Sequence, residues 1–515
     1  MAGFEAKEGF RNTLLFGATV FLMLTAEFLT VFGELSYETA ADVMLAADVL
    51  LNFAILCDLI PHIRRDFPFL VFVGTYNVLL LGRVYVSFAA RYSDLLYSLE
   101  ADDFQNLFAA LRIVTLALFC AYAGYRLSGP LFAKRERAIR EQGWGAVPRD
   151  PLLPVIRQIC VAVLLVSSLA SFYVLAESVL KVLRSGSYLR SFTQVSEESV
   201  PSVISRLSMF FIPSFAVFLA TLPNRRQMKL PMTVYGVYLL ATLLTGRRNT
   251  FVCEILAIVI YFVLRDTLNE KGKRHLRKRS VIGGGVAVVA AAYLLQLFAE
   301  IRAYGLGVQK NFGEMVGNFF YSQGASFRVV VQAVNHIDLF NRENSYLFLF
   351  YPFERFAHNN VFVRAFFGLN PIIEVQTSAF VQTTHNFAHV LTYLVDPTKY
   401  LSGGGFGTSY VAEFWVAYGL WGVVVSGLLI GLVFRFFSSM LTRSWVILAS
   451  CFLAVKDFVY IPRNFALSWV TDTFNITYFC FYGAVYLLAL LAVHLGAHVR
   501  PARAGASALA WEDRK

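Results

Sequence analysis

The sequence predicts an all-α polytopic membrane protein, and three observations carry that prediction. Of its 515 residues, 57% are hydrophobic and 16% aromatic, and the mean hydropathy is +0.58, values foreign to a soluble domain. The apolar residues gather into twelve stretches, most of them near the roughly 20 residues that a helix needs to cross a hydrocarbon core. The basic residues concentrate in alternate gaps between those stretches, as the positive-inside rule requires.

In chain order the stretches lie near 13–32, 41–60, 67–90, 105–126, 156–180, 202–222, 231–245, 250–265, 281–299, 411–434, 445–461 and 474–495. The first follows Lys7 and Arg11 and has no small-residue cleavage site before Glu34, so it reads as an uncleaved anchor. The seventh and eighth are short and joined by Gly246-Arg247-Arg248-Asn249. Basic segments at both of their far ends favour full spans over a re-entrant pair. Between the ninth and tenth the chain makes one large excursion, roughly Glu300 to Tyr410. Within it the aromatic run Tyr346 to Phe353 reads as an interfacial element resting on the bilayer, and amphipathic pieces are expected at 314–337 and 377–395. The cluster Gly403-Gly404-Gly405-Phe406-Gly407 marks a sharp loop before the tenth span. A glycine loop entering a helix can cradle a phosphate, although a plain membrane-entry turn explains it equally well. Gly427 and Gly431, four residues apart inside that span, mark a close helix approach. Residues 1–515 read as a single membrane domain with the 300–410 loop inserted.

The segments at the N-terminus, 64–65, 126–157, 225–229, 265–279, 435–443 and from 500 onward carry 27 of the 45 lysines and arginines. An even number of spans puts all of them on one face with both termini, and that face is cytoplasmic. The net charge of +11 therefore requires no nucleic-acid partner. Lys134-Arg135-Glu136-Arg137 and Lys271 to Arg279 read as topology signals beside anionic lipid. All six cysteines (57, 120, 160, 253, 451 and 480) fall inside predicted spans, without metal-ligand spacing, and read as packing residues.

Against that orientation, Arg247 and Arg248 stand at an outer tip, where basic residues are normally depleted. Arg302 follows the ninth span and Arg463 the eleventh. Four arginines at outer helix mouths suit a lipid-linked diphosphate at headgroup depth, because a guanidinium binds two oxygens at once and stays charged. Snorkelling accounts for single arginines at helix ends but not for a paired Arg-Arg in a tight hairpin. His385 and His389 stand four apart, on one face if helical. No Glu follows His385, so the H-E-x-x-H zinc motif is not met. A neutral histidine can take a proton from an attacking sugar hydroxyl. Glu413, entering the tenth span, is either a base or a salt-bridge partner for an arginine; Asp472 is a weaker version of the same case. Glu27, Asp42, Asp48, Asp58, Arg83, Arg112 and Lys456-Asp457 are expected to pair inside the bundle or to line an ion path. The inverted-repeat pattern of many secondary transporters is not visible.

Gly405-Phe406-Gly407-Thr408-Ser409-Tyr410-Val411-Ala412-Glu413-Phe414, with Tyr418-Gly419-Leu420-Trp421-Gly422, resembles the segment entering a late helix in Wzy-type oligosaccharide-repeat-unit polymerases of O-antigen, common antigen and capsule. Leu244-Thr245-Gly246-Arg247-Arg248 is similar to their arginine-bearing helix tip. Ser322-Gln323-Gly324-Ala325-Ser326 and Tyr460-Ile461-Pro462-Arg463 also resemble segments of that family. The likeness covers roughly 230–470, and the first 200 residues share only hydropathy. Asn249 stands where the family has a small residue, which leaves open which of Arg247 and Arg248 is functional.

The resemblance implies a GT-C-like membrane glycosyltransferase at the outer face of the bacterial inner membrane. Its donor is a glycan on undecaprenyl diphosphate and its acceptor a new lipid-linked repeat unit. No cofactor and no metal are implied, and there is room for a chain-length regulator as partner. On this reading His385 is the first candidate base, with Glu413 and His389 in reserve. Arg247, Arg248, Arg302, Arg463 and Tyr410 bind the diphosphate. Two other readings stay open: an O-antigen ligase passing finished glycan to lipid A core, and a lipid-oligosaccharide flippase.

Overall fold

The computed structural model describes residues 2–33, 36–89, 104–185, 200–245, 248–269, 293–294, 297, 312–340, 343–372 and 374–495. Among them the regular elements are all helices. The membrane part contains α1 (Ala2–Val31), α2 (Tyr37–Leu59), α3 (Ile63–Tyr76), α4 (Gly82–Ala89), α5 (Phe104–Leu127), α6 (Gly129–Gln142), α7 (Leu153–Ser185), α8 (Ser202–Ser208), α9 (Phe211–Ala220), α10 (Arg225–Thr242) and α11 (Arg248–Asp266). The excursion supplies α12 (Phe312–Gln323), α13 (Ser326–Asn335), α14 (Leu347–Asn359), α15 (Val361–Phe367), α16 (Ser378–Thr383), α17 (Phe387–Val395) and α18 (Pro397–Leu401). The chain then returns through α19 (Tyr410–Phe437), α20 (Trp445–Tyr460), α21 (Ser468–Thr473) and α22 (Ile476–His494).

Eight helical stretches among the described residues are long and apolar enough to cross a membrane. The first of these, Tyr37–Ala89, folds back on itself. Asn77 Nδ2 donates to Asn52 Oδ1 at 2.6 Å, whereas a straight helix would separate those residues by nearly 40 Å at about 1.5 Å per residue. Pro61, in the single turn Ile60–His62, makes the reversal. The expected ninth span, 281–299, lies largely outside the described residues, as do Arg247 and Arg302.

Helix–helix contact is closest between α5 and α19, and glycines explain it. A Cβ on Gly431 would stand 2.0 Å from the Ala121 carbonyl oxygen, one on Gly427 2.6 Å from Cys120 Cβ, and one on Gly124 2.2 Å from the Leu428 carbonyl oxygen. Without side chains there, backbones approach and dispersion contacts replace lipid, which offers no hydrophobic drive of its own. α19 breaks once, at Gly419, whose φ of 60° takes it out of the helical region.

Ion pairs gather the expected basic segments at one end of the bundle. Arg435 bonds Glu136 at 2.7 Å and approaches Asp66 at 3.7 Å, and Arg64 pairs with Asp266 at 3.4 Å. Residues 64–65, 126–157, 265–266 and 435–443 thus share a face, as charge counting expects. Elsewhere in the bundle Arg126 pairs with Asp58 at 2.8 Å, Arg112 with Glu27 at 3.2 Å and Lys456 with Glu254 at 3.3 Å. Asp48 has no such partner among the described residues.

At the opposite end the excursion packs down on the spans. α12 lies on α4, where a Cβ on Gly324 would meet the Arg83 backbone nitrogen at 2.1 Å. α13 lies against α5 and α19, and α14 against α19 and α21. The aromatic run on α14 is split. Phe348, Leu349, Tyr351 and Pro352 are buried, while Phe350 and Phe353 remain exposed. Both expected amphipathic pieces are interrupted: 314–337 breaks at Gly324 and Ala325, and 377–395 at Thr384-His385-Asn386. The second break corrects the expectation that His385 and His389 share a helical face. Asn386 accepts the His389 N–H as the N-cap of α17, so the helix starts after His385.

Candidate active site

α19 begins with Tyr410 and Glu413, both completely buried. The Glu413 carboxylate accepts the Thr408 hydroxyl on one oxygen and the Ala466 N–H, at 2.9 Å, on the other. No arginine pairs with it among the described residues, which do not include Arg247 or Arg302. Burying a carboxylate is costly unless its lone pairs are filled, and here an alcohol and an amide fill them. The effect is mechanical: the first turn of α19 grips the loop that follows Arg463. Tyr410 lies beside Tyr76 in the packed interior.

Arg463 closes the single turn Ile461–Arg463 at the end of α20. Its Nη1 stands 3.5 Å from Gln323 Oε1, at the last residue of α12. Arg83 lies over the Tyr321 ring, 4.4 Å from its centroid. Arg248 opens α11, and the Lys456–Glu254 pair sets its height. Glu254 lies six residues beyond Arg248 and Lys456 seven before Arg463, about 9 and 10 Å along antiparallel neighbours. Arg248 and Arg463 therefore stand at one level on adjacent helices.

A second group is built on α14. The Tyr351 hydroxyl donates to Glu374, and Arg355 Nε pairs with Glu374 at 3.2 Å. Burial and the adjacent Glu374 raise the Tyr351 phenol well above its usual range. The Tyr351 ring packs on Phe465 at 5.4 Å, which joins this group to the Arg463 loop. From the same helix Glu354 reaches His385, its Oε2 standing 2.9 Å from Nδ1. A carboxylate can only accept, so Nδ1 carries the hydrogen, and in the neutral ring Nε2 keeps its lone pair. His385 is 42% exposed, and Nε2 has no hydrogen-bond partner among the described residues. His389 turns elsewhere: Nδ1 is 2.9 Å from the Tyr400 hydroxyl and the ring packs edge-on to Phe380. Burial lowers its pKa, so it is held neutral.

The glycine loop is fastened rather than open. Gly403 and Gly407 adopt φ of 89° and 83°, a region that strains other residues. The Phe406 N–H donates to Thr392 Oγ1 at 3.1 Å, and Gln376 donates to the Gly404 carbonyl at 2.9 Å. Arg328 and Lys399 both approach the Phe406 ring, 4.6 and 4.3 Å from its centroid.

The structure thus connects Glu413, Arg463 and His385 through Ala466, Phe465, Tyr351 and Glu354, while His389 bonds Tyr400 and still lies within reach of the Glu374 charge. Sequence reading missed Tyr351, Glu354, Arg355 and Glu374. The available signal was a pair of charges, Glu354-Arg355, three and four residues after Tyr351 and directly after a run read as resting on the bilayer.

The sequence model of the O-antigen polysaccharide polymerase Wzy family matches residues 12–494. The chain belongs to that family. No curated protein and no solved structure matches it. The match takes in every candidate residue named above, so in this polymerase the first 200 residues, similar in hydropathy alone, also carry the family pattern. Membership makes the chain a glycosyltransferase-type polymerase acting on lipid-linked oligosaccharides, with its helices in the inner membrane.

Proposed function

We propose that the chain joins undecaprenyl-diphosphate-linked repeat units at the periplasmic face, with His385 as the general base. The non-reducing sugar hydroxyl of the acceptor attacks the anomeric carbon of the donor glycan. The bond from that carbon to the diphosphate oxygen breaks as the new glycosidic bond forms. The hydroxyl proton passes to Nε2 of His385, and the imidazolium so formed is stabilised by Glu354. Undecaprenyl diphosphate departs with its developing charge facing Arg248 and Arg463, in the role a metal ion fills elsewhere. Arg247 and Arg302 belong to the same proposed cation set. Glu413 and Tyr410 contribute by holding the Arg463 loop and the start of α19. In this reading the chain crosses the bilayer about twelve times, with a GT-C-like division between spans and outer loop.

The observation that carries the reading is the His385–Glu354 pair, a half-exposed imidazole oriented by a carboxylate with its second nitrogen unengaged. The test is incubation of the full chain in vesicles with a synthetic undecaprenyl-diphosphate repeat unit. A ladder of lengthening products is expected, together with its loss in His385→Ala. Transfer to an added lipid A core without a ladder would make the protein a ligase. Vectorial movement of the lipid without any product would make it a flippase. Labelling engineered cysteines from outside, at position 310 but not at position 272, tests the orientation, and the reverse pattern would overturn it.

A further inference from the structure

The middle of the bundle holds a carboxyl group that no cation accompanies among the described residues. Asp48 lies at the centre of α2 and is completely buried. Its side-chain partners are Asn52 at 3.1 Å, Tyr85 at 2.5 Å and Thr115 at 3.5 Å. Among the described residues Arg112 pairs with Glu27, and Arg83 lies over the Tyr321 ring. The other titratable groups facing it are Tyr85 and Tyr76, and Tyr76 donates to the Val114 carbonyl at 2.7 Å. A bare carboxylate in such a place has neither water nor countercharge to stabilise it.

Hydrogen counting decides which form is present. Asn77 Nδ2 donates to the Val73 carbonyl at 2.8 Å, and Asn52 Nδ2 to the Asp48 carbonyl at 2.9 Å. Backbone carbonyls only accept, so both amide orientations are fixed. Asn77 Oδ1 therefore faces the Tyr85 hydroxyl at 2.7 Å and must accept the one hydrogen that a phenol owns. The same phenol oxygen stands 2.5 Å from Asp48 Oδ2, and the hydrogen between them has to come from the aspartic acid. A metal ion does not fit in that gap, since each oxygen would have to stand about 2 Å or more from it.

We propose that Asp48 is a proton-binding site in the middle of the membrane bundle. It takes up one proton from solvent as the protein folds and donates it to the Tyr85 oxygen, in a relay running from Asp48 through Tyr85 and Asn77 to Asn52. The relay ties α2 to α4, and two residues before Tyr85 the same α4 carries Arg83, against which Gly324 is packed. The proton thereby secures the support under Gln323, the residue that meets Arg463.

Asp48→Asn is the informative variant, because an amide Nδ2 in the place of Oδ2 donates to Tyr85 as the neutral acid does and Oδ1 still accepts from Thr115, while the Asn52 bond to Oδ2 is given up. In the detergent-solubilised full chain, the infrared difference between wild type and Asp48→Asn should contain the C=O band of a neutral carboxylic acid. That band should shift in Tyr85→Phe, which removes the acceptor. Thermal stability of the wild type should fall as pH rises above about 4, where an unfolded aspartate gives up its proton, while Asp48→Asn should not share that loss. Carboxylate bands alone in the difference spectrum would overturn the proposal. A pH-dependent loss of stability that Asp48→Asn shares in full would overturn it equally.

Discussion

The Glu413 carboxylate accepts the backbone N–H of Ala466 at 2.9 Å, and this single bond fixes the loop carrying Arg463 to the first turn of α19. Because Thr408 fills the other oxygen, the pattern can be reproduced by an amide. Glu413→Gln should therefore retain substantial polymerisation, whereas Glu413→Ala strands a buried N–H and hydroxyl at about 1–3 kcal/mol each. Product ladders and melting temperatures of the two variants decide it. Complete inactivity of a well-folded Glu413→Gln would return the base role to this carboxylate.

His385→Ala should slow ladder formation roughly 10²–10⁴-fold, the usual contribution of a positioned general base, with donor binding nearly intact. Glu354→Gln should lower kcat more than it changes KM, since it disturbs the imidazole tautomer rather than substrate contacts. Near-wild-type ladders from His385→Ala at matched expression would remove it from the mechanism.

Arg463→Ala and Arg248→Ala should weaken binding of undecaprenyl diphosphate and reduce turnover together. Lysine should rescue neither fully, because a compact ammonium cannot replace a planar two-pronged donor. Binding of the labelled lipid to purified variants measures this. Unchanged affinity in both would reduce the two arginines to interfacial residues.

Lys456 is 22% exposed and Glu254 only 3%. Lys456→Met should be strongly destabilising, on the order of 3–5 kcal/mol, because it leaves the buried Glu254 charge without its partner. The double variant Lys456→Met, Glu254→Gln should recover most of that loss. Melting temperatures in detergent test the pair, and no recovery would show that the two side chains act independently.

His389 gives a pH dependence of known sign. Its pKa is lowered in the fold by burial, so below the unfolded value of about 6.5 the unfolded chain binds more protons and stability falls with pH. His389→Gln, which keeps a polar partner for Tyr400, should flatten stability between neutral and mildly acidic pH. An unchanged acid slope in that variant would place the dependence on other groups.

Hydropathy and charge were sufficient for the all-helical membrane class and for the shared face of residues 64–65, 126–157, 265–266 and 435–443, because lipid and the orientation rule act on composition and order alone. Gly427 and Gly431 were legible for the same reason: a small residue repeated every helical turn has few uses in a membrane besides close packing. The partner helix was not legible, since only the fold brings Ala121 against Gly431. The placement of His385 depended on Asn386 taking the N-cap, a local signal that the i, i+4 spacing concealed. Glu354 and Glu374 went unseen because the value of a charge in an aromatic run depends on what faces it across space. Asp48 makes the same point most sharply. In sequence it is one acid among several in apolar stretches, and only the approach of α4 to α2 gives it a phenol, two amides and no cation.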